Sequence, residues 1–65
     1  MPTIFFYGPQ LDRDSKREMI ETFTETASRL TGKPKAGIVV YLMPSTDEEV
    51  GVGGKLLADR PSSTS

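Results

Sequence analysis

Two stretches decide the fold: Pro2-Thr3-Ile4-Phe5-Phe6-Tyr7 and Gly37-Ile38-Val39-Val40-Tyr41-Leu42-Met43. Both are rich in aromatic and β-branched residues, the types that fit a pleated, half-buried surface. The first is bounded by Gly8-Pro9 and the second by Pro44, so strands are expected over residues 2–7 and 37–43. Pro2 sits at a strand start, where its missing N–H is tolerated. Side chains alternate along a strand. Ile4 and Phe6 therefore oppose Thr3, Phe5 and Tyr7, and Ile38, Val40 and Leu42 oppose Val39, Tyr41 and Met43. Each strand is apolar on both faces, which implies a sheet covered on both sides.

Between them, residues 12–30 predict one amphipathic helix. Met19, Ile20, Phe23, Ala27 and Leu30 recur at three- and four-residue spacings and form one apolar stripe. Asp12 is the expected N-cap. Glu25 and Arg29 have the favourable i, i+4 order. Gly32 suits the left-handed position past the helix end, and Pro34 stops continuation. Strand, helix, strand makes a β-α-β unit with parallel strands. Residues 45–49 read as a polar, acidic loop. Gly51-Val52-Gly53-Gly54 reads as a tight turn or small hairpin, and residues 55–60 as a short turn or helical piece. The fold class expected is a short α/β protomer with a C-terminal hairpin, assembling through its sheet. Residues 1–60 form the domain and 61–65 a flexible tail.

Composition narrows the function classes. The chain has 65 residues, eight basic and nine acidic, for a net charge of −1. That balance offers no strong attraction to nucleic acid or membrane. With neither Cys nor His, disulfides, thiolate sites and the commonest transition-metal ligand are excluded, and no cofactor is expected. No apolar run approaches the ~20 residues of a membrane-spanning helix, and no secretory signal opens the chain, so a cytoplasmic location is expected. A single helix covers one sheet face; the other requires a second chain, because soluble monomers seldom expose large apolar patches. A homo-oligomer is expected.

Few groups can move a proton at neutral pH. If Met1 is removed, Pro2 becomes an N-terminal secondary amine, and an α-amino group titrates near 7.7–8.0. Burial pulls that value lower by disfavouring the charged form. The Gly51 to Lys55 block is not a phosphate loop. Glu49 stands where that pattern needs Gly, and Leu56 follows Lys55 in place of Ser or Thr. Lys33 and Lys35 read as solvated surface lysines, and Asp47, Glu48 and Glu49 as a solvated acidic run without metal-ligand spacing. Tyr7 and Tyr41 read as packing at a subunit contact.

Met1-Pro2 opening a strand, a helix with Lys16, Ile20, Glu25, Ser28 and Arg29, then Pro34, the second strand and Gly51-Val52-Gly53-Gly54-Lys55-Leu56 together resemble the 4-oxalocrotonate tautomerase family over residues 2–60. The resemblance implies β-α-β protomers paired into four-stranded dimers, three of which form a hexamer. It also implies a keto-enol isomerase whose N-terminal proline, here Pro2, is the general base on an enol or dienol carboxylate, as in aromatic-compound degradation. Three positions carry over as substrate-binding. Arg13 stands nearest to the family's loop arginine, in a loop one residue shorter. Val39 falls where the family has a strand arginine, and Val50 where it has an aromatic residue. Valine holds no carboxylate, so the pocket implied is more apolar and less cationic than the family's dicarboxylate sites. The alternative reading is a non-catalytic, homo-oligomeric small-ligand binder that keeps the fold without the cationic site.

Overall fold

The computed structural model describes residues 1–60. Its frame is a parallel two-stranded ladder. β1 (Thr3–Gly8) pairs with β2 (Val39–Pro44) in a register running from Thr3 beside Val39 to Gly8 beside Pro44. Between them lies the helix α1 (Arg13–Thr31), and after them a small antiparallel hairpin of β3 (Gly51–Val52) and β4 (Lys55–Leu56). This is the α/β architecture read from the sequence. The expected tail at 61–65 lies outside the described residues.

The strand limits shift. Gly37 belongs to a one-turn 3-10 helix, Lys35–Gly37, which feeds the chain into β2. Pro44 does not stop the second strand but is its last residue. A strand end tolerates the missing N–H, and the next residue resumes the ladder, with Ser45 N–H donating to Gly8 C=O at 2.7 Å.

The helix is capped more by its backbone than by side chains. Asp12 holds the N-cap position in extended conformation, but its carboxylate closes no cap hydrogen bond. It lies near enough to the Ser15 hydroxyl and the first-turn N–H groups for these to hold its pKa below the ordinary value. At the other end Gly32 adopts φ 74° and returns its N–H to Ser28 C=O at 3.0 Å. Ser28 Oγ donates to Lys33 C=O, and Thr31 Oγ1 to Ala27 C=O. Glu25 does not pair with Arg29; it meets Lys35 Nζ at 3.2 Å and ties α1 to the 3-10 turn before β2. That pair is largely exposed, so it contributes about 0–1 kcal/mol.

Of the expected apolar stripe, Met19, Phe23 and Ala27 turn inward, whereas Ile20 is 38% and Leu30 70% exposed. Half-buried Lys16, Thr24 and Ser28 complete the inner face. The helix covers the sheet face of Ile4, Phe6, Val40 and Leu42, with the Phe6 and Phe23 rings 5.9 Å apart. A Cβ at Gly8 would stand 2.7 Å from the Phe6 ring, so a larger residue there would make the ring shift. The opposite face lies open. Phe5 and Tyr41 stack there at 5.0 Å, and Phe5 is 56% and Tyr7 66% exposed.

Among the described residues only Ile38 is buried. The radius of gyration is 15.2 Å, against about 11 Å for a compact chain of this length. A chain this open lacks the apolar burial that folding entropy demands. Thermal unfolding is therefore expected to be concentration-dependent, with the midpoint rising as protein is added; a midpoint constant over a hundredfold dilution would contradict self-association. Gly32→Ala should destabilise the fold by about 1–2 kcal/mol, the cost of a Cβ in the left-handed region. Nothing else lies within 4 Å of that Cβ position, so denaturant titration reads the backbone term alone.

Candidate active site

Pro2 is half-buried at the head of β1, and its C=O accepts the Val39 N–H at 3.0 Å. The ladder thus brings two of the sequence-derived site residues, Pro2 and Val39, side by side. With Met1 attached, the Pro2 nitrogen is an amide and carries no basic lone pair. Met1 itself is 87% exposed, and the Thr3 hydroxyl donates to its C=O at 3.5 Å.

Arg13 and Val50 lie at the other end of the sheet. Arg13 is the exposed first residue of α1, just beyond the end of β1, and forms no ion pair among the described residues. Val50 is half-buried and its C=O accepts the Leu57 N–H at 2.8 Å. That bond folds the hairpin segment back toward the strand ends. From Pro2 to Gly8 the strand rises ~20 Å at ~3.3 Å per residue. One chain therefore does not bring the four positions together.

An open groove of about 690 Å³ lies where the hairpin meets the end of β1, walled by Tyr7, Pro9, Ser45, Glu49, Val50 and Leu57. Its size suits a small ligand. The sequence pointed to Val50 here but missed Pro9, Ser45 and Leu57, because they meet only through the fold-back of the hairpin. The crevice between α1 and the sheet, by Phe6, Leu11 and Lys16, holds only about 10 Å³, room for a single water.

The groove is apolar with an anionic rim. Residues 45–49 are more than a polar loop: Asp47–Glu49 form a 3-10 turn closed by a capping box. Thr46 donates both its hydroxyl and its N–H to Glu49 Oε1, and Glu48 N–H donates to the Thr46 hydroxyl. Those donors, the hydroxyl foremost, hold the Glu49 pKa below its ordinary value. Asp47 also faces the groove, and among the described residues no basic side chain lines it. The turn of the hairpin is made by Gly53 and Gly54, at φ 62° and 82°. That pair of left-handed residues is the tight hairpin the sequence suggested, and matches a two-residue hairpin loop. Among the described residues, no cluster of acidic side chains has metal-binding geometry, and no helix is long and apolar enough to cross a membrane.

The fold is shared with solved structures. DmpI from Archaeoglobus fulgidus is 41% identical, over 89% of this chain and all of its own, with a TM-score of 0.78. A 4-oxalocrotonate tautomerase homologue at 28% identity covers 95% of this chain and all of its own, at a TM-score of 0.77. YwhB, another homologue of that enzyme, is 26% identical over 92% of this chain and all of its own, at 0.81. No curated protein sequence matches significantly. The model of the tautomerase enzyme family matches residues 2–60, from the proline that heads β1 to the end of the hairpin segment, and the chain belongs to that family.

Proposed function

We propose that this protein is a keto-enol tautomerase in which Pro2, freed by removal of Met1, is the general base. The substrate is an enol or dienol carboxylate. The Pro2 amine takes the enol O–H proton, the C–O bond becomes a carbonyl as the double bond shifts, and the ammonium returns a proton to carbon. No redox partner or cofactor is needed. The observation that carries this reading is the place of Pro2, held at the head of the ladder by its bond to Val39, in a chain of the tautomerase family.

Its neighbours favour the neutral amine. Val39 adds apolar surface and no charge, so desolvation keeps the Pro2 amine deprotonated near pH 7. The same apolar setting limits electrostatic help at the substrate oxygen, normally a large share of enzymatic acceleration. Arg13, Val39 and Val50 are the substrate-binding positions in this reading. Since one chain keeps Arg13 and Val50 ~20 Å from Pro2, the site requires a homo-oligomer, for which a hexamer built as a trimer of dimers is the proposed form. The anionic rim and the valine at position 39 favour a monocarboxylate over a dicarboxylate, since like charge across an apolar groove is poorly screened.

Pro2→Ala should lower kcat/KM for ketonisation of phenylenolpyruvate or a 2-hydroxydienoate by about 10²-fold or more, the usual share of a positioned base, with assembly intact. Unchanged turnover would sink the assignment. In the processed protein, kcat/KM should rise with pH as Pro2 loses its proton and level off above its pKa, with a midpoint below the ordinary α-amino value of about 7.7–8.0. Protein that retains Met1, identified by intact mass, should be inactive.

A further inference from the structure

Lys16 is a basic side chain that neither full solvation nor an ion pair accounts for. Of the eight basic residues it alone is half-buried; the other seven are exposed. It lines the crevice between α1 and the sheet with Phe6, Pro9, Leu11, Leu42 and Pro44. That crevice holds about 10 Å³, so it houses the alkyl stem and no ligand, and the ammonium is left to snorkel to its mouth. Among the described residues Lys16 forms no ion pair and its ammonium no hydrogen bond. Asp14 is taken by Arg17 at 3.0 Å, and Asp12 is turned to Ser15. The helix does not call for the charge either. Lys16 stands at the start of α1, three residues after Arg13 and on the same side, and cations near a helix N-terminus oppose its dipole. A half-buried ammonium without a counter-ion is costly to keep, and an anion from outside the chain would supply one.

The groove at the end of β1 lies next to it. Pro9 walls both the crevice and the groove. Gly8, which also borders the groove, is paired in the ladder with Pro44, which borders the crevice. The groove offers apolar surface to a carbon chain but carries Asp47 and Glu49 on its rim. A carboxylate is repelled by that rim, and the Lys16 side of Pro9 is where a cation meets it.

We propose that Lys16 is the carboxylate anchor of the candidate site: the substrate carboxylate lies over Pro9 against the Lys16 ammonium, and its carbon tail runs into the groove. The ammonium donates up to three hydrogen bonds to the carboxylate oxygens. Lys16 thereby supplies the positive charge that Val39 cannot, and the anionic rim limits the substrate to a monocarboxylate with an uncharged, apolar tail. This assignment rests on the groove being where the enol acid binds, and not on Pro2 being the base.

Calorimetric binding of cinnamate and of its neutral amide, cinnamamide, to the Met1-free protein tests this without turnover. The wild type should bind cinnamate about tenfold or more tighter than cinnamamide, the share of a charge-assisted hydrogen bond; equal affinities overturn the proposal. Lys16→Met keeps an apolar stem and removes the charge. It should bring the two affinities together and leave cinnamamide binding and the thermal midpoint unchanged. A preference that survives Lys16→Met overturns the proposal. So does a variant that unfolds earlier and weakens both ligands alike, the mark of a lysine that only packs. Lys16→Arg, which keeps the charge, is the second variant and should keep the preference. Arg17→Met, at an exposed neighbour, should change nothing; if it erases the preference as fully as Lys16→Met, a general surface field and no anchor is at work. Turnover then ties the anchor to the reaction: Lys16→Met should raise KM for phenylenolpyruvate about tenfold with a smaller change in kcat, and an unchanged KM removes Lys16 from the substrate site. An active Pro2→Ala instead refutes the base, and the cinnamate preference still judges Lys16.

Discussion

The bond from Val39 N–H to Pro2 C=O opens the parallel ladder, and the rest of the molecule depends on that ladder's register. It fixes which residues of β1 bond to β2 and which face outward. It holds Pro2 at the head of a strand and not in a loose terminus. It also aligns Ile4 and Phe6 with Val40 and Leu42, so one helix can cover a single continuous face. A one-residue slip of β1 would turn Phe5 toward the helix and Phe6 away from Phe23.

The same ladder leaves the protomer unfinished. One helix covers one face, and the stacked pair of Phe5 and Tyr41 marks the face it cannot reach. With Ile38 as the only buried residue described, apolar surface must be covered between chains. The requirement coincides with that of the chemistry. The proposed base sits at one end of the sheet and the groove at the other. The acidic capping box of Thr46 and Glu49 shapes the groove wall and gives its rim negative charge. The proposed site therefore relies on apolar contact and desolvation more than on positive charge.

Local patterns in the sequence determined the elements. Continuous aromatic and β-branched runs marked both strands, the Met19, Phe23 and Ala27 spacing marked the helix, and Gly32 and the Gly53-Gly54 pair marked its end and the hairpin turn. These signals are legible because they reflect backbone preferences within a few residues of one another. The pattern from Met1-Pro2 to Gly51–Leu56 carried the family. Only the tertiary structure decided which partners won: Lys35 over Arg29 for Glu25, Lys16 and Ser28 over Ile20 and Leu30 for the inner helix face, and Pro44 as a strand residue. It alone placed Val50 beside Tyr7 and Pro9 and far from Pro2. Those outcomes turn on contacts between residues distant in sequence, whose geometry the ladder register sets and no local preference encodes.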